Sequence, residues 1–87
     1  MSSISDYDYN KIKESVANGK EFSYLEFICN DYSIPFDENI INRTLDDYNR
    51  LSRTQSSYYA KVNALRMATI RVKYYYLNPY TDYEDVE

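Results

Sequence analysis

Eighty-seven residues with a formal charge of −4, no histidine, one cysteine and one glycine describe a single small domain with little catalytic equipment. Without imidazole the chain lacks both the usual base near neutral pH and a common metal ligand, and a lone glycine leaves no glycine-rich phosphate loop. The expectation is a non-enzymatic protein with no cofactor and no metal. Its unpaired Cys29 suits a reducing, cytoplasmic setting.

In chain order, the first signals are those of a short helix between Ser3 and Asn18. Ser5 caps it, Asp6 and Asp8 sit near the positive end of its dipole, and Tyr9, Ile12 and Val16 share one face. Gly19 closes it in a left-handed conformation. A second helix is expected from Tyr24 to about Asp31. Ser23 and Glu26 stand at capping-box spacing, Leu25, Ile28 and Tyr32 form its apolar face, and Phe27 lies to one side. Ser33, Ile34 and Pro35 break it, because proline disfavours helical geometry in the residue before it.

Asp37 is the cap of what reads as one long helix ending at Asn78 and Pro79, with Phe36 and Ile41 at hydrophobic-staple spacing. From Tyr48, alternating steps of three and four meet Leu51, Gln55, Tyr58, Val62, Leu65, Thr69, Val72 and Tyr76, a coiled-coil-like seam. Forty residues of helix would span ~60 Å. The run Ser52 to Ser57, rich in serine and threonine, is the one place where a turn would divide that rod. Leucine, isoleucine, valine and phenylalanine number only 19 of 87, close to the roughly 20% at which disorder becomes the default. Burial between copies would supply the shortfall, so a homo-oligomer is expected with Leu51, Tyr58, Val62, Leu65 and Val72 on the seam. The expected architecture is all-α: two short N-terminal helices packed on one long C-terminal helix within residues 1–79, followed by a mobile acidic tail at 80–87. No stretch approaches the ~20 apolar residues of a membrane span, and Ser2 to Asp8 lacks the shape of a secretion signal.

Charge is segregated. Residues 1–42 carry three lysines and eight acids, residues 43–76 carry seven basic residues and two acids, and residues 77–87 carry four acids. Mutual neutralisation of these blocks is one reading, and an assembly protein that only packs with its own kind is the corresponding function. A second reading gives the acids Asp6, Asp8, Glu14, Asp31, Asp37, Asp82, Glu84 and Asp85, with Tyr80 and Tyr83, to a surface that docks on the basic groove of a nucleic-acid-binding protein. Carboxylates spaced along helices occupy positions that phosphates would otherwise take. A third gives Arg66, Arg71, Lys73 and Tyr74 to phosphates and bases of a single strand. Asp46 and Asp47 diverge on a helix and read as solvated charge rather than as an acid–base pair.

The succession Ile34, Phe36, Asp37, then Tyr48, Leu51, Tyr58, Val62 and Leu65, and finally Tyr75 and Tyr76, resembles the central helix of phage recombination-mediator proteins. That likeness implies an oligomer that loads a recombinase on single-stranded DNA. This chain departs from it in its acidic N-terminal third and its thinner supply of lysine. In size, acidity, lack of catalytic residues and richness in Asn, Ile, Tyr and Lys, the chain is also similar to the small acidic proteins with which phages inhibit host or defence machinery, anti-CRISPR proteins and nucleic-acid mimics among them. That second resemblance implies a non-enzymatic inhibitor whose partner is a protein, and it is the preferred expectation.

Overall fold

Serine and aspartate side chains, together with two residues in left-handed conformation, set where the helices begin and end. The computed structural model describes residues 4–77, and within them the chain forms four helices: α1 (Asp6–Ala17), α2 (Ser23–Asp31), α3 (Glu38–Leu51) and α4 (Ser57–Leu77). Ser5 Oγ accepts the Asp8 amide at the head of α1, and Asp37 Oδ1 accepts the amides of Asn39 and Ile40 at the head of α3. Both caps lie where the sequence places them.

The ends of α1 and α2 are built alike. Gly19, at φ 76°, donates to Val16 while Lys20 donates to Ser15. Ser33, at φ 57°, donates to Asn30 while Ile34 donates to Cys29. Each is a Schellman closure, in which the left-handed residue turns the chain so that two orphan carbonyls find amides. The Ser23–Glu26 capping box does not form, because α2 begins one residue early. Phe22 is its N-cap without a side-chain hydrogen bond, and Glu26 donates its amide to the Phe22 carbonyl.

The expected long helix is two helices. Ser52 Oγ donates to the Asn49 carbonyl and the amides of Thr54 and Gln55 both reach Leu51, which winds up the end of α3. Ser56 then accepts the Tyr59 amide on Oγ and caps α4. Serine and threonine hydroxyls compete for nearby backbone groups, and here their local bonds outweigh continuation of the rod. The principal extents are 33 × 27 × 24 Å, where an unbroken rod would need ~60 Å.

Because the chain reverses at residues 52–56, α4 is packed from two sides. α3 lies against it on one, and α1 and α2, which also touch each other, lie on the other. The core joins Ile12 of α1, Leu25, Ile28 and Cys29 of α2, and Val62, Leu65, Ala68 and Val72 of α4. Tyr9, Val16, Phe22, Ile34 and Phe36 close its margin, with the Phe22 and Phe36 rings tilted at 6.1 Å. Val62, Leu65 and Val72, expected between copies, are thus buried within the chain by α1 and α2. Of the other two seam residues, Leu51 is half-buried on α3 and Tyr58 is exposed. Ala64 and Ala68 line clefts that α4 shares with Thr44 and Ile40 of α3. Residues 78–87, including the expected acidic tail and the end of the single domain, lie outside the described residues.

Candidate functional site

Two carboxylates that the sequence suggests are solvent-facing are instead buried ionic anchors. Asp8 is 3% exposed. Its Oδ2 is 2.6 Å from Lys73 Nζ on α4, and its Oδ1 accepts the Tyr24 hydroxyl of α2 at 2.5 Å. Burial alone would raise the Asp8 pKa, but hydrogen bonds from Lys73 and Tyr24 and the lysine's charge hold it below the ordinary carboxylate value. Burial and the adjacent carboxylate push the Tyr24 phenol well above its usual range. Three helices meet at this one point.

Asp47, 5% exposed, is the second anchor and not the solvated charge expected. Its Oδ1 is 3.1 Å from Arg50 Nη2 and 3.9 Å from Arg43 Nε, while Oδ2 is 2.9 Å from Arg71 Nη1 across the α3–α4 boundary. Arg71 is itself mostly covered. A cleft of about 370 Å³ lies alongside, bounded by Ile34, Ile40, Arg43, Ala68, Arg71 and Val72.

These anchors redistribute the expected surfaces. Asp8 leaves the acidic docking set, and Arg71 and Lys73 leave the basic nucleic-acid face because each is held against a buried carboxylate. Asp37 is exposed but engaged as a helix cap. Asp6, Glu14 and Asp31 are exposed, as is Glu26, which the sequence reading had not placed in the site. Arg66 and Tyr74 are half-buried. Asp82, Glu84, Asp85, Tyr80 and Tyr83 fall outside the described residues.

What the fold assembles on the α1–α2 side is acidic and aromatic. Among the described side chains, Tyr7 and Phe27 are the most exposed of the large apolar ones, at 64% and 59%. Phe27 stacks on Tyr24 with centroids 5.8 Å apart and planes 25° from parallel. Together with Lys11, Glu14, Ser15 and Ser23 these three rings line an open depression of about 300 Å³. Lys11 Nζ lies 5.6 Å from the Tyr7 ring centroid and 3.8 Å from Glu14 Oε1, so the depression already holds an ammonium between a ring and a carboxylate. Because the Tyr24 hydroxyl is tied to Asp8, its ring and the Phe27 stacked on it are held in place from beneath.

Cys29 is fully buried, and burial pushes its thiol pKa up, which makes it a packing residue rather than a nucleophile. Among the described residues no cluster of three or more acids or cysteines is placed to hold a metal ion, and no helix is long and apolar enough to cross a membrane. Compared with models of known families, with curated proteins and with solved structures, the chain matches none.

Proposed function

We propose that this protein is a non-enzymatic inhibitor that docks its α1–α2 face on the basic groove of a nucleic-acid-handling protein, in the manner of the small phage proteins it resembles. One observation carries the reading. The two most exposed apolar rings among the described residues, Tyr7 and Phe27, share a depression with Glu14 and lie on the two helices that carry Asp6, Glu26 and Asp31. Exposed rings beside carboxylates are the ingredients of an interface anchor for lysine and arginine side chains. Carboxylates on helices also compete electrostatically for the places where a groove holds phosphates.

The test is capture by cross-linking from bacterial lysate with the wild-type chain and with the double variant Tyr7→Ala/Phe27→Ala, both checked for equal melting. The expected result is a nucleic-acid-binding protein that added nucleic acid displaces and that the double variant holds at least about 10-fold more weakly. Capture that is indifferent to both rings, or that nucleic acid does not compete, would overturn the proposal.

A further inference from the structure

The basic residues separate into two groups once their partners are known. Arg43, Arg50 and Arg71 gather on Asp47, Lys73 on Asp8 and Lys11 on Glu14. Lys13, Lys20, Arg53, Lys61 and Arg66 have no carboxylate within ion-pair distance among the described residues, and of these Lys13 lies over the Tyr9 ring. Between Tyr48 and Leu77 the chain contains no acid at all.

Of these cations, Arg53 and Arg66 stand on either side of the exposed Tyr59 in the sequence. Tyr59, Asn63 and Arg66 lie at i, i+4 and i+7 of α4 and so share one face, along ~10 Å of helix. Gln55, in the turn before α4, accepts the Asn63 amide at 2.9 Å, and Asn63 Oδ1 accepts Arg66 Nε at 3.4 Å. This chain of side-chain bonds positions the Arg66 guanidinium on the strip. Arg53 is exposed two residues before Gln55, and Tyr59 is 53% exposed, with Tyr58 edge-on to it at 5.1 Å. Lys61 points elsewhere, into a small depression shared with Glu21 and Tyr48.

We propose that the strip Arg53, Gln55, Tyr59, Asn63 and Arg66 binds single-stranded nucleic acid, with Tyr59 stacked on an unpaired base and the two arginines on flanking phosphates. A ring supported edge-on by a second tyrosine presents its outer face without having to be ordered on binding, and every base offers a surface to stack on it. A duplex keeps its base faces covered. The ~10 Å from Tyr59 to Arg66 matches about three phosphates of a stacked strand, at ~3.4 Å each. This site is independent of the acidic α1–α2 face and shares no residue with it.

The experiment is fluorescence anisotropy of the intact chain with labelled oligothymidine, a duplex of equal length and heparin, over a range of salt. Oligothymidine should bind, with log affinity falling against log salt at a slope of about −1.4 for two phosphate contacts. Arg53→Ala and Arg66→Ala should each reduce that slope by about 0.7. Tyr59→Ala should weaken binding by about 5- to 150-fold at any one salt concentration, and Lys20→Ala should leave it unchanged. All four substituted positions are exposed or half-buried, and an unchanged melting curve shows that each variant is folded. No binding at low salt would overturn the proposal. So would heparin or duplex binding as tightly as oligothymidine with no loss in Tyr59→Ala, since that pattern describes a general attraction for polyanions or acidic proteins.

Discussion

Asp8 shows how far a residue's role departs from its sequence neighbourhood. Next to Asp6, in the first turn of an acidic helix, it has the local signature of a solvated, dipole-stabilising carboxylate. Its burial is decided by Lys73, 65 positions away, and by Tyr24. No local spacing encodes that meeting. Asp47 was half legible: Arg43 and Arg50 sit at i−4 and i+3 and could be counted from the sequence, whereas Arg71 could not.

The Asp8 anchor gives a signed pH dependence. The Asp8 pKa is lower folded than unfolded, so its stabilisation is complete above the ordinary aspartate value of ~3.9 and is lost as pH falls towards the depressed folded value. The Tyr24 pKa is higher folded than unfolded, so its stabilisation is complete below about pH 10 and declines as pH rises above that. Melting temperature against pH should therefore show a plateau with two falling limbs. Asp8→Asn should cost about 2–3 kcal/mol at neutral pH, by leaving Lys73 partly buried without its counter-charge, and should flatten the acid limb. Tyr24→Phe should flatten the alkaline limb. An acid limb unaltered in Asp8→Asn would show that the anchor does not carry the effect.

At the scale of elements, the caps were the readable part. Ser5, Asp37 and Gly19 stop or start helices by chemistry that is local to three or four residues, and each acts where the sequence places it. The second left-handed closure was hidden because Ser33, not glycine, occupies it. A side chain at that φ is strained, so Ser33→Gly should stabilise the protein. The relief of strain exceeds the glycine's added unfolded-state entropy by up to about 1 kcal/mol. A chemical-denaturation midpoint that moves down instead of up would contradict this reading of the α2 terminus. The break at Ser52–Ser56 was visible as weak helix formers but not decidable, since single-residue propensities of a few tenths of a kcal/mol are settled by packing.

For the whole molecule, Val62, Leu65 and Val72 were legible as buried, whereas Tyr58 on the same expected seam is exposed, and what covers the buried ones was not legible. Val62, Leu65, Thr69 and Val72 are all buried, yet so are Ala60, Ala64, Met67 and Ile70 on the other sides. A helix enclosed by three others has no single stripe, and a stripe picked from it reads equally well as a seam between copies. The sequence therefore told that α4 is hidden without telling from what. Val62→Asp separates the alternatives. With the covering supplied by α1 and α2, an unpaired charge there should cost about 3 kcal/mol or more and remove helical circular dichroism from the chain itself. A variant that keeps its helices and only sediments as a smaller species would place the buried surface between molecules.

One packing relation bears on how this protein comes apart. Among the described residues α3 packs on α4 alone, and its buried residues are Thr44 and Asp47; of its aliphatic side chains only the half-buried Ile40 packs against the cluster built by α1, α2 and α4. Its grip is that of a latch closed in part by ions. Raised salt, by screening the Asp47–Arg71 contact, should therefore loosen these fourteen residues before it loosens the aliphatic packing of the other three helices, and hydrogen exchange should register that opening in α3 first.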